Sequence, residues 1–171
     1  MSAPSSPSRA DVDGIAAWTV IRAARELARR LAVELEPLGL SPVEFGVLAQ
    51  LAAAEGPGQA DGPGQADGPG QAGGLSQADL ARAVGVRPQS MTTLVAGLTG
   101  RALVERKGVP GRGRHSRLGL TDEGRALLAD AWPLVVASRG WFAGDAAQAD
   151  AVVAALHPLL GSARGGVDEV P

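Results

Sequence analysis

Apolar side chains return at three- and four-residue steps over residues 11–39, at Ile15, Trp18, Ile21, Leu27, Leu31, Leu35 and Leu38, with Arg22, Arg25, Arg29 and Arg30 among the positions between. This period predicts one long amphipathic helix from Asp11 to Gly39. A second helix is expected to open on Ser41-Pro42-Val43-Glu44. Ser is a natural N-cap there, Pro fits a first turn whose N–H has no partner, and Glu44 completes a capping box. The pattern continues through Phe45, Leu48 and Leu51 to about Glu55. Ser76-Gln77-Ala78-Asp79 caps a short helix ending near Gly85, and Pro88 opens another that turns Met91, Leu94, Val95 and Leu98 inward. Leu103–Lys107 and Ser116–Leu120 read as short strands joined by the turn-rich GVPGRGRH. Thr121 caps a helix through Leu127, Leu128 and Trp132, with a kink expected at Pro133, and a last helix carries Val152, Val153, Leu156, Leu159 and Leu160.

Between the second and third of these helices the hexapeptide Gly-Pro-Gly-Gln-Ala-Asp is written twice, with a third copy ending in Gly, over residues 56–73. It lacks the bulky apolar residue per turn that a β-helix stacks, and its glycine spacing is not collagen's. Residues 56–74 are therefore read as a disordered, tolerated expansion of a turn; a fourfold longer loop costs only about 1.2 kcal/mol of closure entropy. Residues 1–10 and 165–171 read as disordered tails, leaving a single domain over 11–164.

Composition narrows the chemistry. Of 171 residues 45% are hydrophobic, with two Phe, three Trp and no Tyr, so the core must be built largely from Leu, Val and Ala, which suits packed helices. The absence of Cys excludes disulfides, thiolate metal sites and cysteine nucleophiles. The isolated His115 and His157 suggest no metal site, and no cofactor is expected. Carboxylate pairs such as Asp122-Glu123 sit where they answer a helix dipole, so no enzyme is expected. The N-terminal stretch lacks a signal-peptide apolar run, and the run at 131–137 is too short to span a bilayer, so a cytoplasmic protein without membrane contact is expected.

Net charge is −2, but Val86–Leu120 carries about +6 and the remainder about −8. Within the basic segment, Leu80, Ala81, Val84, Gly85, Val86, Met91 and Leu94 fall at the positions that a helix-turn-helix needs, counted from Gln77. Gln89, Ser90, Thr92 and Thr93 are left for the outer face near the start of the second helix, where base edges are met. A following hairpin with Arg112, Arg114 and Arg117 makes the unit a winged helix.

The stretches LSPVEFGVLAQL, LSQADLARAVGVRPQSMTTLVAGLTGRALVERK and SRLGLTDEGRALLADAWP resemble the MarR family of bacterial transcription factors over nearly the whole ordered chain. The resemblance implies a mainly α, α+β winged-helix fold. A winged helix-turn-helix lobe at about 41–121 would be flanked by dimerisation helices at 11–40 and 122–164. It implies a homodimer on a pseudo-palindromic double-stranded operator, acting as a repressor released by a small aromatic or anionic effector, whose binding residues are not assigned. Apolar end helices also point to a dimer. Candidate DNA contacts are Arg87, Gln89, Ser90, Thr92, Thr93, Arg101, Arg112, Arg114 and Arg117, with Arg114 in the minor groove and Arg112 and Arg117 on phosphates. The chain departs from the family where Arg112 replaces the usual wing Asp and where Thr93 and Gly97 stand at commonly basic positions. Alternatives are a winged helix that binds a protein partner, or DNA without specificity. Arg22, Arg25, Arg29 and Arg30 either flank the operator or are solvated. Trp18, Trp132 and Trp141 either line an effector pocket or pack in the core or dimer interface, and His115 is either a phosphate contact or a surface residue.

Overall fold

The computed structural model describes residues 6–56, 74–107, 117–142 and 146–161. The repeat beyond Gly56, the hairpin tip with Arg112, Arg114 and His115, and the tail at 165–171 lie outside the described residues. The chain divides into two compact units, Met1–Pro42 and Val43–Pro171.

In the first unit the single helix expected from Asp11 to Gly39 is instead two helices and a 3-10 turn. Helix α1 (Arg9–Asp13) takes in Arg9 and Ala10, left in the tail by the sequence reading, because Ser8 and Asp11 form a reciprocal capping box. It stops where the Gly14 N–H turns back to the Ala10 carbonyl at 2.9 Å. Ile15 is then extended before α2 (Ala16–Leu35) begins. The break is held by Asp13, whose carbonyl accepts from Thr19 Oγ1 at 2.8 Å and whose carboxylate meets Arg22 at 2.6 Å. At the other end the chain tightens into a 3-10 turn, Glu36–Leu38. Pro37 explains the change, since it has no N–H with which to continue the α-helical ladder.

In the second unit α3 (Pro42–Glu55) buries Val47, Leu48 and Leu51. Strand β1 (Leu75–Ser76) leads into α4 (Gln77–Val84), followed by α5 (Pro88–Gly100), β2 (Val104–Lys107), β3 (Arg117–Leu120) and α6 (Asp122–Ala137). A 3-10 turn, Ser138–Trp141, precedes α7 (Ala146–Gly161). α6 runs through Pro133 as one helix. The antiparallel sheet has the order β1-β3-β2, pairing Leu75 with Leu118 and Val104 with Leu120. β1 was not foreseen, because two residues are too few to show alternation. Gly74, assigned to the repeat loop in the sequence reading, is buried beside β3. Leu80, Ala81, Met91, Val95, Leu98, Leu103, Val104, Leu118 and Leu120 are core residues of this unit.

Candidate nucleic-acid interface

The unit α4-turn-α5 is built as its sequence requires. Ser76 caps α4: its Oγ accepts the Asp79 N–H at 3.1 Å and donates to the Asp79 carboxylate at 2.6 Å. That bond is the main reason the Asp79 carboxyl titrates below the usual carboxylate range; slight burial opposes it, and the Arg82 charge reinforces it. α4 ends at Gly85, whose φ of 74° is the left-handed conformation that a side chain would strain. The Val86 N–H reaches back to the Ala81 carbonyl at 3.0 Å. Arg87 is the extended N-cap of α5, and Pro88 fills its first position.

Packing then fixes which side of α5 faces out. Met91, Val95 and Leu98 are buried. Arg87, Gln89, Ser90, Thr92 and Thr93 are exposed, within about 9 Å of helix axis at 1.5 Å per residue. Gln89, Ser90 and Thr93 make no side-chain hydrogen bond among the described residues. Thr92 is held twice: its Oγ1 donates to the Pro88 carbonyl at 3.1 Å and accepts from Gln77 Nε2 at 2.6 Å.

Among the remaining candidates Arg101 stands away from this end. Arg101 caps the opposite end of α5, about 20 Å along the axis, and binds Glu44 at 3.2 Å. Arg117 is half-buried and donates through Nη1 to the Gly74 carbonyl at 2.9 Å, bracing β3 on the residue before β1. Arg112 and Arg114 lie outside the described residues. The basic segment is therefore partly neutralised from within. Lys107 is included in this, since its Nζ meets Glu55 at 2.8 Å.

Glu55 was not singled out by sequence reasoning. Its carboxylate ends α3, accepts from Lys107 on β2 and from the Leu120 N–H on β3, and pairs with Arg125 on α6. Partial burial pushes this carboxyl up. The Lys107 and Leu120 hydrogen bonds and the charges of Lys107 and Arg125 outweigh it, leaving the group below its ordinary range. Its side-chain partners are 52 and 70 residues away in sequence, so no local signal could have found it. Gln77 was also missed as a site residue, although the helix-turn-helix register places the start of the first helix near that of the second.

Three of the four arginines of α2 are paired within their own unit. Arg22 meets Asp13, while Arg29 and Arg30 share Glu26 at 2.8 Å each. The hydrogen bond from Arg29, then that from Arg30, brings the Glu26 carboxyl down to about 2. Trp132 rests on Phe45 with ring centroids 6.1 Å apart, yet remains 53% exposed.

Comparison with known proteins agrees with this geometry. A MarR family model matches residues 66–115. Among curated proteins no significant sequence match emerges. The crystal structure of CouR from Rhodococcus jostii RHA1 bound to p-coumaroyl-CoA is similar at TM-score 0.69 and 26% identity, covering 95% of this chain and 100% of that one. The transcriptional repressor CouR bound to a 23-mer DNA duplex is similar at TM-score 0.69 and 25% identity, over 91% of this chain and 99% of the other. The Mycobacterium tuberculosis MarR family protein Rv2887, in complex with salicylic acid, reaches 30% identity and TM-score 0.60 over 86% of this chain and 97% of its own. The helix-turn-helix geometry, the family match and this level of identity over nearly the whole of a relative lead to one conclusion: the chain belongs to the MarR family of transcriptional regulators.

Proposed function

We propose that this protein is a sequence-specific, ligand-responsive repressor that binds a pseudo-palindromic operator as a homodimer. The observation that carries the proposal is α5: an apolar side locked into the core and a first turn and a half whose Arg87, Gln89, Ser90, Thr92 and Thr93 face outward. Short hydrogen-bonding side chains on a rigid helix are what the major groove's donor and acceptor code requires. A basic patch alone would hold phosphates without reading bases. Arg101, Arg112, Arg114 and Arg117 are proposed backbone and minor-groove contacts. Arg117 spends one N–H on Gly74 and keeps others for phosphate.

Dimerisation is proposed through the exposed apolar positions of the end helices. These are Ile15, Ile21 and Val33 at α2, Trp132 and Val136 on α6, and Val153, Leu159 and Leu160 on α7. This supports assigning 11–40 and 122–164 to dimerisation and about 41–121 to the DNA lobe. Among the described residues no single helix is long and apolar enough to cross a membrane, and a DNA target supports a cytoplasmic location. The ligands of the matched relatives, p-coumaroyl-CoA and salicylic acid, suggest an aromatic acid or its thioester as effector. A regulatory rather than enzymatic role is consistent with those relatives.

Selection from a randomised duplex pool tests the reading. An inverted repeat with half-sites about 10 base pairs apart is expected. Enrichment of no sequence, or a monomer at micromolar concentration in sedimentation, would refute it.

A further inference from the structure

The Thr92 hydroxyl has one proton and two lone pairs. The proton is committed to the Pro88 carbonyl at 3.1 Å, one turn back on α5, and one lone pair receives the Gln77 amide from α4 at 2.6 Å. Thr92 is nevertheless an exposed residue of α5, on the flank next to Gln77. Its hydroxyl is thus turned toward protein partners and has no proton left for a base acceptor. What remains for an approaching ligand is chiefly the Cγ2 methyl. A threonine held by the Pro88 bond alone could exchange it for a bond to a base. The second bond, from a different helix, opposes that rotation, and Gln77 is itself anchored at the first position of a capped helix.

We propose that Gln77 is a positioning residue for base recognition: it holds the Thr92 hydroxyl inside the protein so that α5 presents the Thr92 methyl to the major groove and selects a thymine through its C5 methyl. This rests on the operator-binding reading above. Apolar contact with the thymine methyl is a recognised mode of readout, and burying one methyl group corresponds to about a fourfold change in affinity.

The test uses the full-length protein and an operator obtained by selection, with each thymine of one half-site replaced in turn by deoxyuridine, which lacks only the methyl. For the wild type, one position is expected to lose about fourfold in affinity. Thr92→Val keeps the methyl and removes the hydroxyl, and should retain that discrimination. Thr92→Ser keeps the hydroxyl and removes the methyl, and should show less than about 1.5-fold. Gln77→Leu should reduce discrimination in the same way while leaving affinity for random DNA unchanged, which a merely structural residue would not do. Discrimination kept by Thr92→Ser and abolished by Thr92→Val would overturn the proposal in favour of hydroxyl readout. Discrimination unchanged in Gln77→Leu would overturn the positioning role. An operator whose thymines are all indifferent to Thr92 overturns this inference alone. Failure to enrich any operator overturns the repressor reading and this inference with it.

Discussion

Two helical glycines, one on α5 and one on α6, should respond to alanine with opposite signs. On propensity alone each substitution should stabilise, since Gly costs about 1 kcal/mol relative to Ala in a helix interior. At Gly97 on α5 that is the whole effect, because a Cβ there would meet nothing within 4 Å. Gly97→Ala should add about 1 kcal/mol and raise the melting temperature by roughly 2–4 °C. Gly124 is buried in the first turn of α6, where a Cβ would overlap the Leu103 carbonyl oxygen and lie 3.0 Å from its carbon. The obstacle is backbone, not the movable end of a side chain. That same carbonyl accepts the Thr121 N–H at 3.3 Å, and Thr121 Oγ1 donates to the neighbouring Ala102 carbonyl at 2.6 Å. Moving it strains the junction of α6 with the start of β2. Overpacking of this kind costs about 1–3 kcal/mol and the disturbed hydrogen bond about 1 more, so the propensity gain is outweighed and a net loss near 2 kcal/mol is expected. Thermal unfolding at one fixed protein concentration should show Gly124→Ala lower by roughly 4–8 °C. A Gly124→Ala protein as stable as the wild type, or a destabilised Gly97→Ala, would refute the reasoning.

Glu55→Gln removes the carboxylate shared by Lys107 and Arg125 and should cost about 1–2 kcal/mol, more than an exposed pair because Glu55 is mostly buried; denaturant midpoints would measure it. The pH dependence follows from the same group. Its folded pKa lies below the unfolded value, so its contribution is complete above the ordinary carboxylate range and is lost as pH falls through the folded pKa. Acid titration of stability should therefore be shallower in Glu55→Gln than in the wild type. In DNA binding, Arg87→Ala should flatten the salt dependence by about 0.9 for each phosphate it no longer neutralises, read from affinity against salt concentration. Lys107→Ala should leave that slope unchanged, since its ammonium is already engaged by Glu55; an equal effect of both would show that the internal pair yields to DNA.

Signals carried by neighbouring residues were sufficient for much of this protein. Ser76, Gly85 and Pro88 mark the boundaries of α4 and α5 through caps and backbone preferences that act within a few residues, and the spacing of Met91, Val95 and Leu98 identifies the buried side of α5. The exposed candidates Arg87, Gln89, Ser90, Thr92 and Thr93 follow from that side by subtraction. The break between α1 and α2 leaves no mark in the apolar period, which begins at Ile15, while the bonds that stabilise the break come from Asp13, Thr19 and Arg22 together. Tertiary structure alone decided how the charges are used. Arg101, Lys107 and Arg117 look alike in a sequence count of basic residues, yet each meets an acceptor 43 to 57 residues distant: Glu44, Glu55 and the Gly74 carbonyl. The same holds for β1, which exists only because Leu75 and Ser76 find β3 across the sheet, and for the Gln77–Thr92 bond. Caps and periodicity are energies of adjacent residues and are therefore written in order along the chain. Ion pairs, sheet edges and interhelical hydrogen bonds depend on which distant groups the packed core brings within about 3 Å.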